Sequence, residues 1–579
     1  MATPIPIPNG KPWQEVAAAL QAHRAATLAA VSPPLPALPA TLPRNTTALP
    51  SQLLTADEVS ITETPPETLL ASLASGALSS TAVTRAFLRR AALAQHATNC
   101  ITELLPARAL ARAAALDAHL AAHGKPVGPL HGLPVSVKEH MAMQHADDDS
   151  DEPALTTNAG FCAWAGHAPK QALILDVLWA AGAVFHARTT QPQTLMHLET
   201  SSNAFGATTN PFNGALTSGG SSGGEGALVG FRGSCLGVGT DIGGSVRSPA
   251  ANCGVWGLRP TAHRLPNAGG VGTMKGQEQI VPVIGPLSTS LEGVRVFAKT
   301  LVDARPWLRQ PDLVPMRWRD DEEWLPTDGE GRRRLKVGVM WDDGVVRPHP
   351  PVLRAMKELV DKLKVAEGVE VVEWTPYKHD LAWEIIASLY FSDAGREEAA
   401  AIDASGEPWR PLSTFILKEN PYVPKEPYPI TEVWRLTRMR EQYRTDYSAH
   451  WNATATKDDG SDMVDVILCP VGPGAAPPLD NAKYWGYTSQ WNLLDYPSLS
   501  FPQVSEVDPA IDVKDETYQP RNDQDDFNHK LYEPELYRDA PVSLQLVGRR
   551  FEDEKVLQAM EYIVEKTGVP FAGFGVKKV

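Results

Sequence analysis

The chain has 579 residues, of which 43% are hydrophobic and 21% charged. This is the composition of an ordinary globular protein that is large enough to bury an extensive core. The formal net charge of −15 argues against nucleic acid or an anionic membrane as a partner.

Cysteine content and the termini point to a cytoplasmic protein. The cysteines are odd in number and widely scattered, which indicates neither a disulfide framework nor a zinc site. They are Cys100, Cys162, Cys235, Cys253 and Cys469. The N-terminal MATPIPIPNGKPW lacks the charged and apolar regions of a signal peptide. The most hydrophobic stretch, residues 171–187, contains Asp176 and is too short to span a bilayer, so no transmembrane segment is expected.

Helical patterns dominate the N-terminal part of the chain. An alanine-rich helix is predicted over residues 13–29, followed by a proline-punctuated tether over 33–43. Further helices are predicted over 66–73, with Thr64 as candidate cap, and over 80–96 and 106–123. We therefore treat residues 1–60 as an N-terminal helical arm with its tether, and 61–579 as the body of the protein.

Strands then alternate with helices, which predicts an α/β sheet. A β-like run over 133–137 ends on Lys138, and a helix over 171–181 precedes a strand over 183–187. After a charged connector over 320–334, a strand (335–340), a helix (352–365) and a strand (369–373) follow. Residues 505–540 carry eleven acidic and four basic side chains, which predicts a solvated surface insertion.

Two glycine-rich loops carry serines 24 positions apart, TSGGSSGGEGALVG with Ser221 and GTDIGGSVRSP with Ser245. A serine nucleophile needs a base to take its proton and backbone donors to hold the oxyanion. The glycines let successive N–H groups converge and let a carbonyl approach closely. No histidine lies in either loop, but Lys138 lies upstream, and burial can lower a lysine pKa enough for it to act as a base.

Other readings of these motifs are weaker. GGSSG fits the G-x-S-x-G nucleophile elbow, but the preceding NPFNG indicates turn and loop where the elbow needs a strand. Neither loop ends in the G-K-[ST] of a phosphate-binding loop. A lone lysine is more often a solvated surface residue, and a serine beside glycine usually bonds to the backbone. The acidic run at 145–149 favours a solvated loop over a cation site.

Residues 219–249 resemble the signature of the amidase signature family over about thirty positions. The likeness extends to HGLPVSVKEH, CGVWGLRPT, GPLSTSLEGVRVF and PVSLQLVGRRFEDEKVL, which bracket residues 61–571. SNAFGATTNPFN, RLPNAGG and PWLRQPDLVPMRWR look most like the fungal acetamidase and general amidase branch. The resemblance implies one α/β/α domain around a large mixed sheet, with its signature core over about 130–290.

The resemblance implies a Ser-Ser-Lys triad. Ser245 matches the nucleophile, Ser221 the serine on a cis peptide that relays its proton, and Lys138 the neutral base. The expected oxyanion hole is formed by the backbone N–H groups of Ile242, Gly243, Gly244 and Ser245. In supporting roles, Asp241 and Arg247 are expected to form a structural ion pair, and Ser222 to hydrogen-bond the lysine.

The resemblance implies hydrolysis of a small amide by a monomer or homodimer, without metal or organic cofactor. Leu195, Met196, Trp491 and Tyr496 are candidate pocket residues. Two alternatives stay open: the catalytic subunit of a glutamine-dependent amidotransferase, disfavoured by the long arm and the 505–540 insertion, and a non-catalytic scaffold homologue, disfavoured by the intact triad. Glu139 and Ser218 depart from the family's usual aspartate and proline, which leaves the substrate open.

Overall fold

The computed structural model describes residues 10–144, 155–327 and 329–568. Within these ranges the α-helices are α1 (Trp13–Ala29), α2 (Leu49–Leu53), α3 (Ala56–Glu63), α4 (Pro66–Ser75), α5 (Ser80–Thr98), α6 (Pro106–His123), α7 (Leu173–Ala180), α8 (Gly223–Gly230), α9 (Arg247–Asn252), α10 (Leu291–Asp303), α11 (Pro350–Val365), α12 (His379–Tyr390), α13 (Arg396–Asp403), α14 (Pro411–Thr414), α15 (Ile430–Asn452), α16 (Gly486–Leu494), α17 (Asp523–Leu531) and α18 (Asp553–Thr567). Short 3-10 turns cover Cys162–Trp164 and Pro306–Leu308, and a π-helical turn covers Phe415–Glu419.

The strands are β1 (Ile101–Leu104), β2 (Pro134–Lys138), β3 (Val184–Thr189), β4 (Ser201–Ser202), β5 (Gly206–Ala207), β6 (Leu236–Asp241), β7 (Trp256–Arg259), β8 (Val283–Ser288), β9 (Leu335–Val339), β10 (Val369–Glu373), β11 (Val466–Pro470), β12 (Ser498–Glu506) and β13 (Pro541–Val547). Eleven of them form one sheet in the order β1-β3-β2-β6-β8-β7-β12-β13-β11-β9-β10. Both parallel and antiparallel pairs occur, so the predicted α/β fold with a large mixed sheet is confirmed.

Most predicted elements are present with small shifts at their ends. The helices at 13–29 and 106–123 and the strand at 369–373 have the predicted bounds. The prediction of Thr64 as the cap of α4 is wrong. Pro65 occupies the N-cap without a side-chain bond, while the Thr64 hydroxyl donates to the carbonyl of Ser60 in the preceding helix. Proline at the first helical position needs no such cap for its missing N–H.

Two other sequence predictions concern hydrophobic and acidic stretches. Residues 171–187 divide into α7 and β3, and no helix in the described ranges is both long and apolar enough to cross a membrane. The insertion at 505–540 is less solvated than predicted, because Tyr532 and Tyr537 are buried and Asp512 pairs with Arg354 at 2.7 Å. Charged and aromatic residues alternate in this segment, so its net charge does not show that some of its side chains are buried. The acidic run at 145–149 lies outside the described residues.

The sheet brings Lys138 and the second glycine loop to the same edge, at the carboxyl ends of strands β2 and β6. Strands β2 and β6 are parallel neighbours, with Ser136 opposite Gly237 and Val137 opposite Val238. Lys138 at the end of β2 therefore lies beside the end of β6, from which the second glycine loop departs. Helix α8 packs behind them through Glu225, which accepts hydrogen bonds from Ser136 (2.5 Å) and Thr189 (2.8 Å).

A buried ion-pair cluster fastens the C-terminal helix α18 to the body. The Arg264 guanidinium lies 3.2 Å from Asp553 and 2.8 Å from Glu554, with all three side chains at most 2% exposed. Asp553 also accepts the backbone N–H of Thr261 at 2.8 Å. Removal of one partner from such a cluster leaves an uncompensated buried charge, which is strongly destabilising.

We predict that Arg264→Ala lowers the free energy of unfolding by about 3–5 kcal/mol, since buried Asp553 loses its cation and Glu554 keeps only Arg319, at 2.8 Å. The measurement is the shift of the urea unfolding midpoint. Arg317→Ala is the matched control, because Arg317 pairs with Asp321 on the surface, where both side chains are more than half exposed. Its midpoint should not move. Equal shifts for both variants would contradict the prediction.

Candidate active site

The end of strand β2 buries a lysine between two hydroxyls. Lys138 is fully buried, and its Nζ lies 2.7 Å from Ser221 Oγ and 3.0 Å from Thr240 Oγ1. Burial lowers the pKa of Lys138 to about 7, although Asp241 and Glu225 act in the opposite direction. With this pKa about half of the amine is neutral at pH 7, and the neutral form is the one that the predicted base role requires.

Ser221 lies on the first glycine loop, between a glycine pair and helix α8. The Gly220–Ser221 peptide is cis, as the family resemblance implies. Gly220 passes against backbone: a Cβ there would lie 2.3 Å from the carbonyl oxygen of Glu199. No side chain fits at this position, so the glycine is required for the loop to deliver Ser221 to the lysine.

Ser245 lies on the facing loop, after β6. The backbone N–H of Ser222 donates to the Ser245 carbonyl at 3.1 Å, which ties the two serine loops together. Ser245 is 2% exposed, and its Oγ has no hydrogen-bond partner among the described residues. The structure thus joins Lys138 to Ser221 directly and brings the Ser245 loop alongside, without a hydrogen bond to the Ser245 hydroxyl.

The loop before Ser245 is held through its carbonyls. Tyr390 OH donates to the Ile242 carbonyl at 2.6 Å, and Thr488 Oγ1 to the Gly243 carbonyl at 2.7 Å. The Gly244 N–H donates to Asp241 Oδ1 at 2.9 Å, so this amide already has an acceptor within the protein. Of the four predicted oxyanion donors, the amides of Ile242, Gly243 and Ser245 have no hydrogen-bond acceptor within the described ranges.

Asp241 and Arg247 form the predicted ion pair. Arg247 Nε and Nη2 reach the Asp241 carboxylate at 3.0 and 2.9 Å, and neither side chain is exposed. Burial by itself raises the pKa of Asp241, but the Arg247 guanidinium outweighs it and holds the pKa well below its usual range. Asn492 and Thr488 complete the set by bonding to Asp241 and to Arg247. The pair therefore fixes the loop from behind.

One supporting role differs from the prediction. Ser222 does not bond the lysine: its Oγ donates to the Thr240 carbonyl (3.3 Å) and accepts from the Thr240 N–H (3.2 Å). The second hydroxyl on Lys138 belongs to Thr240 itself. Sequence reasoning missed this residue, although its place directly before Asp241, one position beyond the point on β6 that faces Lys138 in the parallel register, is a signal that could have found it.

Glu139, the departure from the family's aspartate, binds the protein's own backbone and side chains. Its carboxylate accepts hydrogen bonds from the N–H of Asn158 (2.7 Å) and from Gln191 Nε2 (2.6 Å). Thr157 and Ala159 add two more. The longer glutamate thereby fastens the 157–159 segment next to the lysine.

A cavity of about 290 Å³ adjoins the loops. It meets the site through Ser248, three residues after Ser245, and through Thr488, which holds Gly243. Its other walls include Leu198, Phe415, Ala482 and Phe527, with Lys483 stacked at 5.3 Å from both phenylalanine rings. The triad side chains themselves are not among its lining residues.

The predicted pocket residues lie elsewhere. Trp491 and Tyr496 are buried in an aromatic cluster with Tyr447, whose ring centroid is 6.1 Å from each of theirs. Met196 belongs to the same core, and half-buried Leu195 lies against Gly272. None of the four lines the 290 Å³ cavity. Apolar character alone does not separate a pocket wall from a core position.

Comparison with known proteins gives one consistent answer. The family model described as Amidase matches residues 82–557. A Schizosaccharomyces pombe protein whose name assigns it provisionally to the amidases is 46% identical over 560 residues, covering 95% of this chain and 99% of that protein. The acetamidase of Emericella nidulans is 38% identical over 96% of this chain and 98% of its own length. A solved fatty acid amide hydrolase superposes with a TM-score of 0.87 at 34% identity, over 98% of this chain and 99% of that one.

Proposed function

The chain belongs to the amidase signature family of amide-hydrolysing enzymes, and from that premise we propose that it cleaves the C–N bond of small carboxamides through an acyl-enzyme on Ser245. Lys138 is the base, and Ser221 is the relay between the base and the nucleophile. The products are a carboxylic acid and ammonia or an amine. The contact of 2.7 Å between the buried Lys138 amine and Ser221 carries this proposal.

In the first half-reaction Lys138 takes a proton from Ser221, which takes one from Ser245, and the Ser245 oxygen attacks the carbonyl carbon. The oxyanion is received by the amides of Ile242, Gly243 and Ser245. A single such donor is worth about 3–4 kcal/mol of barrier lowering. The C–N bond then breaks as Ser221 gives a proton to the leaving nitrogen and takes back the proton held by Lys138, which is neutral again.

In the second half-reaction water takes the place of the amine. The same relay removes its proton, the water oxygen attacks the acyl carbon, and the bond to Ser245 breaks as the serine recovers its proton. Lys138 ends in its starting neutral state. Each proton in this scheme moves between side chains of this protein, the substrate and water. The side chains named above therefore account for every proton transfer.

We assign the acyl part of the substrate to the 290 Å³ cavity. Support comes from Ser248 and Thr488, which lie in its wall and next to the nucleophile loop. The exposed wall area is mainly apolar, with polar side chains such as Asn252, Asn481 and Asp523 interspersed, which suits an acyl group of moderate size. Acetamide would fill only a small part of this space.

We predict that Ser245→Ala abolishes amide hydrolysis while thermal stability stays close to that of the wild type, because only the bond-forming oxygen is lost. Mass spectrometry after a fluorophosphonate probe should find the adduct on Ser245. An adduct on Ser221 or Ser222 would reverse the assignment. The purified chain alone should release ammonia from a simple amide, and dependence on a second subunit would favour the amidotransferase alternative.

We predict that kcat/KM rises with pH through a value near 7 and fades in mild acid. The neutral lysine is the reactive form, and raising the pH through its lowered pKa of about 7 creates that form. Lys138→Ala should lose about 10²–10⁴ in rate, the usual contribution of a general base. Lys138→Arg should rescue nothing, since guanidinium stays protonated.

The measurement is a pH profile on one amide for the wild type, Lys138→Ala, Ser221→Ala and the double variant. The double variant should be little slower than either single one, because members of one relay act non-additively. Near-normal rates for Lys138→Ala would mean that another base, such as His131 or His140, takes the proton.

We predict that Ala482→Leu lowers kcat/KM for hexanamide about tenfold and leaves acetamide within about twofold, because three added carbons reduce a cavity volume that the longer acyl chain needs and acetamide hardly uses. Ala115→Leu on the exposed face of α6 is the matched control and should change neither value. Equal losses on both amides with Ala482→Leu would contradict the placement of the acyl group.

A further inference from the structure

A histidine that the relay does not use completes the hydrogen-bond chain behind it. His140 lies two residues beyond Lys138 and is buried. Its Nδ1 lies 2.8 Å from the carbonyl oxygen of Val271, and its Nε2 lies 3.1 Å from Thr240 Oγ1. Thr240 Oγ1 in turn lies 3.0 Å from Lys138 Nζ. The Val271 carbonyl, His140, Thr240 and Lys138 thus form one hydrogen-bond chain, which ends on Ser221.

The chemistry of the four groups fixes the direction of every hydrogen bond. A carbonyl oxygen only accepts, so Nδ1 of His140 carries the proton that it donates to Val271. In the neutral ring Nε2 is then an acceptor, and only the Thr240 hydroxyl can donate to it. A hydroxyl has one proton, so the Thr240 oxygen accepts from Lys138 and cannot donate to it.

This direction matters because a neutral amine has a single lone pair. If Thr240 donated to Lys138, it would occupy the lone pair that has to accept the proton of Ser221. With Thr240 turned toward His140, the amine donates one N–H to Thr240 and its lone pair is open to Ser221 at 2.7 Å. The same arrangement suits the ammonium, so Thr240 need not turn during the proton transfer.

We propose that His140 is a positioning residue that aims the lone pair of Lys138 at Ser221 by fixing the direction of the Thr240 hydroxyl. The inference rests on the proposed roles of Lys138 and Ser221. If those roles fail, Lys138→Ala retains its rate. If only the present inference fails, Lys138→Ala is inactive while the His140 variants match the controls below.

The test compares pH profiles of kcat and kcat/KM on one amide for the wild type, His140→Phe and His140→Gln. Phenylalanine keeps a planar ring without donor or acceptor, whereas glutamine offers an N–H for Val271 and an oxygen for Thr240. We expect His140→Phe to lower kcat about ten- to hundredfold with KM within about twofold. In His140→Phe the acid limb of the pH profile, where the rate falls as Lys138 is protonated, should move to lower pH. The reason is that a Thr240 hydroxyl free to donate to the neutral amine stabilises the neutral form. His140→Gln should restore most of kcat and the wild-type limb.

Two further variants separate positioning from packing. His186→Phe is the matched control: His186 is also buried and bonded to a backbone carbonyl, that of Gly233 at 3.0 Å, and should leave the limb unmoved. Thr240→Val should shift the limb, and adding His140→Phe to Thr240→Val should shift it no further, since His140 acts only through the Thr240 hydroxyl. The charged groups around Lys138 are Glu225 and Asp241, and those around His140 are Lys275 and Arg188; all remain in every variant.

A loss of kcat with an unmoved acid limb would overturn the inference, because it would show that His140 acts through packing only. Additive shifts for His140→Phe and Thr240→Val would overturn it as well. If His140→Phe does not fold, as judged by circular dichroism, His140→Gln and Thr240→Val decide. A limb that moves in both variants would overturn the inference, and one that moves only in Thr240→Val would support it.

Discussion

The proposed mechanism depends on keeping one amine, that of Lys138, uncharged inside the protein. Taking a cation out of water is costly, and at the edge of β2 and β6 the Lys138 amine meets two neutral hydroxyls instead of a directly paired carboxylate. Asp241 and Glu225 are close enough to raise its pKa, but each is engaged elsewhere, by Arg247 and by Ser136 and Thr189. The balance leaves a large fraction of the amine uncharged at physiological pH.

The second requirement is that two irregular loops hold still around that amine. Glycine allows their course but supplies no rigidity, so other elements supply it. Arg247 forms an ion pair with Asp241 at the start of the loop. Tyr390 and Thr488, from helices distant in the sequence, donate hydrogen bonds to carbonyl groups of the loop. Each bond that turns a carbonyl outward favours the opposite direction for the neighbouring amide. Rigidity of this kind is what a preorganised oxyanion site needs.

Much of this could be predicted from the sequence, and the limits have physical causes. Periodicity located α1, α6 and β10 because their local pattern and tertiary environment agree. The serines, the lysine and the Asp241–Arg247 pair were predicted because loops of low sequence freedom carry them. The hydrogen-bond partner of Lys138 could not be predicted. Ser222 and Thr240 both carry hydroxyls near the lysine, and the parallel register of β2 and β6 decides which of them contacts it. The pocket residues stay a prediction: the four candidates do not line the 290 Å³ cavity, whose walls come from segments that converge only in the fold.

Thr488 has two neighbours that belong to different tasks, since it bonds the Gly243 carbonyl and also forms part of the cavity wall. A change of side chain here alters the space for an acyl group and the support of the oxyanion loop together. For the proposed acyl site, divergence toward larger or smaller acyl groups is therefore expected in wall segments other than Thr488, such as Val471–Ala475 and helix α17. Among relatives with different substrates, we therefore expect residue 488 to be invariant and those wall segments to vary.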